Sequence, residues 1–239
     1  LVNEFDPGRF IRAVEAALSD TDPRVVDAAI ETGARLRLPP AWARARARAA
    51  DADGGESMLL LALRGEAPDQ RMLMSALGDR KRRQSALWAL GFLGTPEAVD
   101  ASLEWLEEKA AGPLAGEVFS AVTGIDIEDA EMALPIDDGE EVLDSRPDDH
   151  LPRPNPMLVL QCWMKIRGNF AAGQRNLRGT VRSPSNLLAV LADGQMRRRP
   201  AHLLDLELQS TTKDRLCLQV RASTSRQRAQ FEQISRSRT

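Results

Sequence analysis

The chain has 239 residues, of which 43% are hydrophobic and 4% aromatic, with no tyrosine and a net charge of −3. A chain of this length can form one or two domains, and its many Ala, Leu and Arg residues favour helices over strands. The two cysteines exclude a disulfide framework and point to a reducing cytosol, and no apolar run approaches the roughly 18–20 residues that span a bilayer.

Charge is distributed unevenly along the chain. Residues 1–125 carry a net charge of −4, residues 126–150 carry −10 and residues 151–239 carry +11. An acidic middle and a basic C-terminal region can attract each other or bind separate partners. The same pattern also fits solvated loops and helix faces, so charge alone assigns no function.

The N-terminal part predicts a series of short helices. Helices are expected to begin at Asp6-Pro7 and at Asp22-Pro23, because Asp caps a helix and Pro suits its first turn. A short Ala/Arg helix is expected at 42–50. When Asp22 is aligned with Asp79, the apolar positions of two helices coincide: Ala29 with Ala86, Ile30 with Leu87 and Leu36 with Leu93. Matches at one offset indicate an internal repeat.

The clearest copy of this repeat lies at 77–106, where two helices are expected with a tight turn between them. Gly91 and Gly94 are expected to loosen the end of the first helix, and Thr95-Pro96 is expected to begin the second. A weaker copy near 58–68 gives a period of about 28–29 residues, shorter than the ~40–47 of ordinary HEAT units. The sequence therefore predicts an all-α fold, an α-solenoid of short HEAT-like helix pairs with a C-terminal helical extension.

The pattern changes after residue 106. One more buried helix is expected over 115–124, ended by Gly124. We assign 1–125 to HEAT-like repeats, 126–156 to an acidic, proline-containing linker and 157–239 to a C-terminal helical region with a basic tail.

The C-terminal region is expected to hold several elements. The first is a helix over 157–170, with Leu158, Leu160 and Trp163 available for burial, and a turn-rich connector follows at 173–179. Two more helices are expected, one capped by Ser185 and one over 194–209. An alternating segment at 216–220 and a polar end from 226 complete the region.

The sequence contains no recognisable catalytic motif. The histidines, His150 and His202, are isolated, and neither is followed by the Glu of the paired His-Glu motifs that di-iron hydroxylases need. Neither a Gly-x-Ser-x-Gly elbow nor a phosphate-binding loop is present. We therefore predict no catalytic residue, no metal and no cofactor.

Two basic runs are candidate contacts for an acidic partner. They are Arg80, Lys81, Arg82 and Arg83, and Arg197, Arg198 and Arg199. Solvated helix faces explain each of them at least as well. Together with Trp88, Trp105 and Trp163 they also permit a DNA glycosylase-like protein that holds a flipped base. The acidic net charge disfavours nucleic-acid binding.

Three stretches resemble a known kind of protein. Residues 85–99 resemble the HEAT-like repeat of the phycobilisome-lyase type. Residues 115–124 and 151–175 are similar to the C-terminal half of a bacterial family of HEAT-like proteins, often encoded beside type VI secretion spike, PAAR and effector-chaperone genes. The resemblance runs from about residue 20 to about residue 210. It implies a cytoplasmic adaptor or co-chaperone for effector loading, with an effector, PAAR or chaperone protein as partner and without catalytic residues.

The sequence thus favours a non-catalytic protein-binding scaffold, because stacked helix pairs present an extended surface. The alternative is a HEAT-like nucleic-acid-binding or DNA glycosylase-like protein, which requires Arg, Trp and Asp side chains clustered on a concave face and salt-sensitive binding. A third hypothesis is a structural fragment of a larger assembly, which predicts exposed apolar surface near the N-terminus.

Overall fold

The computed structural model describes residues 6–135, 151–209 and 229–230. The helices in these residues are α1 Pro7–Ala17, α2 Pro23–Arg35, α3 Pro39–Arg48, α4 Gly55–Arg64, α5 Ala67–Ala76, α6 Arg83–Leu93, α7 Pro96–Ser102, α8 Gly112–Thr123, α9 Pro156–Ile166, α10 Pro184–Asp193 and α11 Arg199–Gln209. Strands β1, Asn176–Leu177, and β2, Thr180–Val181, pair antiparallel. This content confirms the predicted all-α class for the described residues.

The chain divides into two compact units, an N-terminal unit, 1–89, and a C-terminal unit, 90–239. The predicted end of the repeats at residue 125 falls inside the second unit. The reason is that α8, the last predicted repeat helix, packs against β1 from the C-terminal region.

The predicted helix starts are confirmed where a cap and a proline coincide. Asp6 accepts hydrogen bonds from the amides of Gly8 and Arg9, and Asp22 accepts one from the amide of Arg24. Thr95 accepts one from the amide of Ala98 at 3.3 Å. Each of these caps satisfies amides that have no partner in the first turn, and the Pro that follows it lacks an amide to satisfy.

In the N-terminal unit, helices that are neighbours in sequence are neighbours in space. Helix α1 packs on α2, α2 on α3, α3 on α4 and α4 on α5. Gly33 allows the close approach of α2 and α3, because a Cβ there would lie 2.6 Å from the Cβ of Ala41. Arg48 is buried nearby and pairs with three carboxylates, those of Asp27, Asp51 and Asp53. Its charge is therefore compensated inside the unit.

The residues that carry the internal repeat have matching environments at most positions. Ala29 and Ala86 are both buried, as are Ile30 and Leu87. The two helices begin differently, because Asp22 caps α2 directly whereas α6 begins four residues after Asp79. The third aligned pair differs, because Leu36 is half-buried whereas Leu93 is fully buried. The predicted repeat thus stays a prediction, with two aligned pairs in similar environments.

In the C-terminal unit, a hairpin caps the end of α8. The turn between β1 and β2 has positive φ at Arg178 (50°) and Gly179 (81°), as tight hairpin turns require. The amides of these two residues donate to the carbonyls of Ala121 and Val122, both at 2.8 Å. The predicted turn-rich connector at 173–179 therefore closes the C-terminal end of a buried helix.

The two described ends of the predicted acidic linker lie side by side in the C-terminal unit. Ala133 and Pro154 form an isolated antiparallel bridge, and the amide of Leu134 donates to the carbonyl of Arg153 at 2.7 Å. Ile127 and Met132 are buried. The acidic segment at 136–150, the alternating segment at 216–220 and most of the polar end from 226 lie outside the described residues.

Helix α10 begins two residues earlier than predicted. Ser183, rather than Ser185, is its cap, and it exchanges hydrogen bonds with Asn186 in a capping box. Asp205 of α11 is buried and pairs with Arg182, whose Nε lies 2.8 Å from Asp205 Oδ2. This ion pair joins the hairpin to α11.

Candidate protein-binding surface

The first basic run is divided between surface and structural roles. Arg80 and Lys81 are exposed in the turn before α6. Arg82 pairs with Asp79 at 2.9 Å, and Arg83 Nε donates to the carbonyl of Leu77 at the end of α5. The structure therefore places Arg80 and Lys81 where a partner can reach them, and it uses Arg82 and Arg83 to close a turn.

The second basic run is engaged mainly within the C-terminal unit: Arg198 is buried, and Arg197 and Arg199 are half-buried. Arg198 is 7% exposed, and its guanidinium donates to Glu117 Oε1 at 3.0 Å and to the carbonyl of Gly91 at 2.9 Å. Arg197 also pairs with Glu117, and Arg199 donates to the carbonyl of Ala192 at 2.8 Å. The guanidinium of Arg198 is therefore held inside the unit, and the expectation that this run contacts a partner stays a prediction.

Gly91 has a different role from the predicted one. Helix α6 continues through it to Leu93, and a Cβ at Gly91 would lie 3.2 Å from Arg198 Nη1. The guanidinium also lies over the ring of Phe92, 3.9 Å from its centroid. Gly91 therefore makes room for a buried arginine instead of loosening the helix end.

An Arg, a Trp and an Asp do cluster, as the nucleic-acid alternative requires, but they serve to hold α9 in place. Trp163 Nε1 donates to Asp100 Oδ1 at 2.7 Å, and Arg167 pairs with Asp100 at 3.0 Å. The indole is buried and packs against Phe119 and Phe170. Since Trp163 has no exposed ring face, it provides no platform on which a base could stack.

The side of α9 that faces away from the buried Trp163 carries exposed apolar side chains. Met157, Leu160 and Met164 are 66%, 44% and 73% exposed, and their spacing puts them on one stripe of the helix. Leu158, beside them, is 38% exposed. We call Met157, Leu160 and Met164 the α9 stripe. Leu158 and Leu160 thus differ from the expectation that they are available for burial, whereas Val159 and Trp163 form the buried side.

A polar stripe runs along the same helix beside the α9 stripe. Gln161 and Lys165 are exposed, and their spacing places them next to Met157 and Met164. The exposed side of α9 therefore combines an apolar stripe with one amide and one cation.

The N-terminal unit has a second exposed apolar surface. Phe10 of α1 and Val25 of α2 are both exposed, and they line an open groove with the small residues Ala13, Ala17 and Ala28. The hypothesis of a structural fragment predicted exposed apolar surface in this part of the chain.

In 6–135, 151–209 and 229–230, no group of three or more His, Cys, Asp or Glu side chains is placed to hold a metal ion. None of the helices in these ranges combines the length and the apolar character that crossing a membrane requires.

The chain was also compared with known proteins. It matches no protein-family model, no curated protein and no solved structure.

Sequence patterning missed the α9 stripe for a specific reason. Apolar side chains occur on several sides of α9, including Leu158, Val159, Leu160 and Trp163, so the pattern does not select one buried face. The signal that could have found the stripe is the pair of methionines, Met157 and Met164, on one side of the helix. Methionines are common on adaptable binding surfaces.

Proposed function

We propose that this chain is a non-catalytic protein-binding scaffold, and that the α9 stripe is its contact with a partner protein. The observation that carries the proposal is the exposure of Met157, Leu160 and Met164 on one side of a single helix. A contiguous exposed apolar surface is a feature of interaction sites, whereas single exposed apolar residues are ordinary.

The stripe specifies what kind of partner fits it. Leucine and methionine offer apolar area without hydrogen-bonding groups, and the thioether side chain adapts to different shapes. The adjacent Lys165 is exposed and favours a carboxylate on the partner. The occupant we propose is an amphipathic segment of another protein, with apolar anchors over the stripe and an acidic residue facing Lys165.

The contacts that hold α9 in place support this proposal. Asp100 holds both Trp163 and Arg167, and Asn155 caps the start of the helix through the amide of Leu158 at 3.3 Å. A helix held at several points presents its outer stripe in one orientation, so binding requires little further ordering.

The biological setting we propose follows the resemblance. The stretches 85–99, 115–124 and 151–175 support a cytoplasmic adaptor or co-chaperone that helps to load a type VI secretion effector, with an effector, PAAR or chaperone protein as partner. The packing of α1 to α5 in chain order supports a HEAT-like solenoid arrangement for the N-terminal unit.

The test is site-specific photo-crosslinking in the cell that makes this protein. A photoreactive amino acid replaces Met164 in one variant and Ser75, an exposed residue of α5, in a matched control. We expect an adduct with one effector, spike, PAAR or chaperone protein from position 164 and none from position 75. Adding Met157→Glu to the first variant should abolish the adduct, because it places a charge in the buried contact.

Each other outcome counts against the proposal. Equal adducts from both positions indicate non-specific contact, and an adduct that survives Met157→Glu indicates that the stripe does not carry binding. An adduct between two copies of this chain identifies the stripe as a self-association surface. An adduct with nucleic acid favours the alternative function.

A further inference from the structure

A cleft of about 180 Å³ opens in the C-terminal unit among α8, the hairpin, α10 and α11. Its buried polar side chains are Glu117, Arg198 and His202, and Asp126 and Asp193 also line it. This position is separate from the α9 stripe, which none of these residues belongs to. The cleft therefore requires its own explanation.

His202 is a buried imidazole without a hydrogen bond. It is 2% exposed, and neither ring nitrogen has a hydrogen-bond partner among the residues that the structure describes. The ring contacts Phe92, with 5.1 Å between the centroids. Burial, together with the charges of Arg198 and Arg182, lowers the pKa of His202 to about 3. The ring is therefore neutral near pH 7, with one nitrogen as a donor and the other as an acceptor.

Glu117 adds a second unsatisfied group to the same cleft. Its Oε1 accepts from Arg198 and pairs with Arg197, whereas its Oε2 is buried with no partner in the described part of the chain. A carboxylate oxygen in this position can only accept a hydrogen bond. Buried polar groups in native proteins are nearly always paired, so three unpaired polar atoms on two side chains that line one cleft are exceptional.

We propose that this cleft binds a compact ligand that carries N–H donors beside a carbonyl acceptor, as a primary carboxamide does. An amide group can donate to Glu117 Oε2 and can exchange hydrogen bonds with the neutral ring of His202. Leu177 and Val190 line the remaining wall and suit a hydrocarbon part. A carboxylate of the same shape offers no donor and places a second negative charge near Glu117.

The experiment compares benzamide with benzoate, which have the same ring and nearly the same size. Uniformly ¹⁵N-labelled full-length chain is titrated with each compound, and the imidazole nitrogens of His202 are followed by NMR. Their signals are assigned as those missing from His202→Leu. We expect a saturable shift with benzamide, with a dissociation constant in the roughly millimolar range of a ligand this small, and no saturable shift with benzoate.

Two variants keep the result interpretable. His202→Leu removes both nitrogens and should abolish benzamide binding while the melting temperature is retained or rises. Val190→Phe fills the cleft from its wall without touching the buried polar groups, so it tests the same site even if the first variant fails to fold.

The proposal is overturned if benzamide causes no saturable shift up to its solubility limit, which means that water alone satisfies these atoms. Equal binding of benzoate, or benzamide binding that persists in Val190→Phe, also overturns it. Loss of benzamide binding leaves the α9 stripe untouched, so this test is independent of the crosslinking test.

Discussion

Replacing His202 by leucine should remove a pH dependence from the stability of the native protein. The pKa of His202 is lowered from 6.5 to about 3 in the folded chain, first by burial and then by Arg198 and Arg182. The unfolded chain binds the proton at higher pH than the folded chain does. The native protein therefore loses stability as pH falls below 6.5, and the loss continues down to about 3.

The size of this effect follows from the shift. Each pKa unit corresponds to about 1.4 kcal/mol, so the full shift corresponds to roughly 5 kcal/mol, and about 2 kcal/mol of it should be lost between about pH 6.5 and pH 5. The groups around the ring do not cancel this cost. Arg198 and Arg182 oppose a positive charge on His202, and the negative charges of Glu117 and Asp205 are already compensated by ion pairs with these arginines.

The assay is urea unfolding followed by circular dichroism at about pH 7, 6 and 5. We expect the wild-type chain to lose about 2 kcal/mol more than His202→Leu over this range. His150→Gln removes the other histidine of the chain and serves as the comparison that assigns the slope to one histidine or the other. Equal slopes for the wild type and His202→Leu would show that the ring takes up a proton freely, and they would refute this account of the buried imidazole.

Three further substitutions test the packing at Gly91, the ion pair of Arg198 and the ionisation of Glu56. Gly91→Ala should lower the melting temperature despite the better helix propensity of alanine, because the new Cβ would crowd the buried guanidinium of Arg198. The control is Gly168→Ala, which should be neutral or stabilising because no atom lies within 4 Å of the added Cβ. Arg198→Met should cost about 3–5 kcal/mol in urea unfolding, since it leaves a buried carboxylate with weakened compensation, while Arg80→Met should change stability by less than about 0.5 kcal/mol. Glu56→Gln should stabilise the chain at neutral pH. Desolvation by the surrounding atoms, with Glu31 and Asp27 nearby, raises the pKa of Glu56, although the residue as a whole is exposed. The ionised form therefore opposes folding slightly, and the small advantage of Gln should shrink in melts at lower pH.

Local chemistry explains which parts of the fold could be predicted. Asp6, Asp22 and Thr95 begin helices because each side chain satisfies amides two or three residues away, which short-range spacing reveals. Gly124 ends α8 with positive φ for the same local reason. These features depend on neighbouring residues alone.

The candidate site depended instead on partners far away in sequence. Arg198 is buried because Glu117 and Gly91 receive its hydrogen bonds, from 81 and 107 residues away. In the sequence it is the middle of three consecutive arginines, a pattern typical of solvated surface. The sequence shows His202 only as an isolated histidine, since no spacing reveals that its ring nitrogens have no partner among the described residues. Long-range pairing, rather than local pattern, determines both environments.

The positive charge of the C-terminal region therefore has a different meaning from the one its sequence suggests. Arg167, Arg182 and Arg198 each pair with a carboxylate of the same unit, so much of this charge holds helices together. The side chains of α9 that face outward are instead mainly apolar, with Met157 and Met164 the most exposed. A surface of this kind recognises a partner through buried area more than through charge, and association through it depends weakly on salt. That dependence separates a protein-binding scaffold from a nucleic-acid-binding protein, whose affinity falls steeply as salt rises.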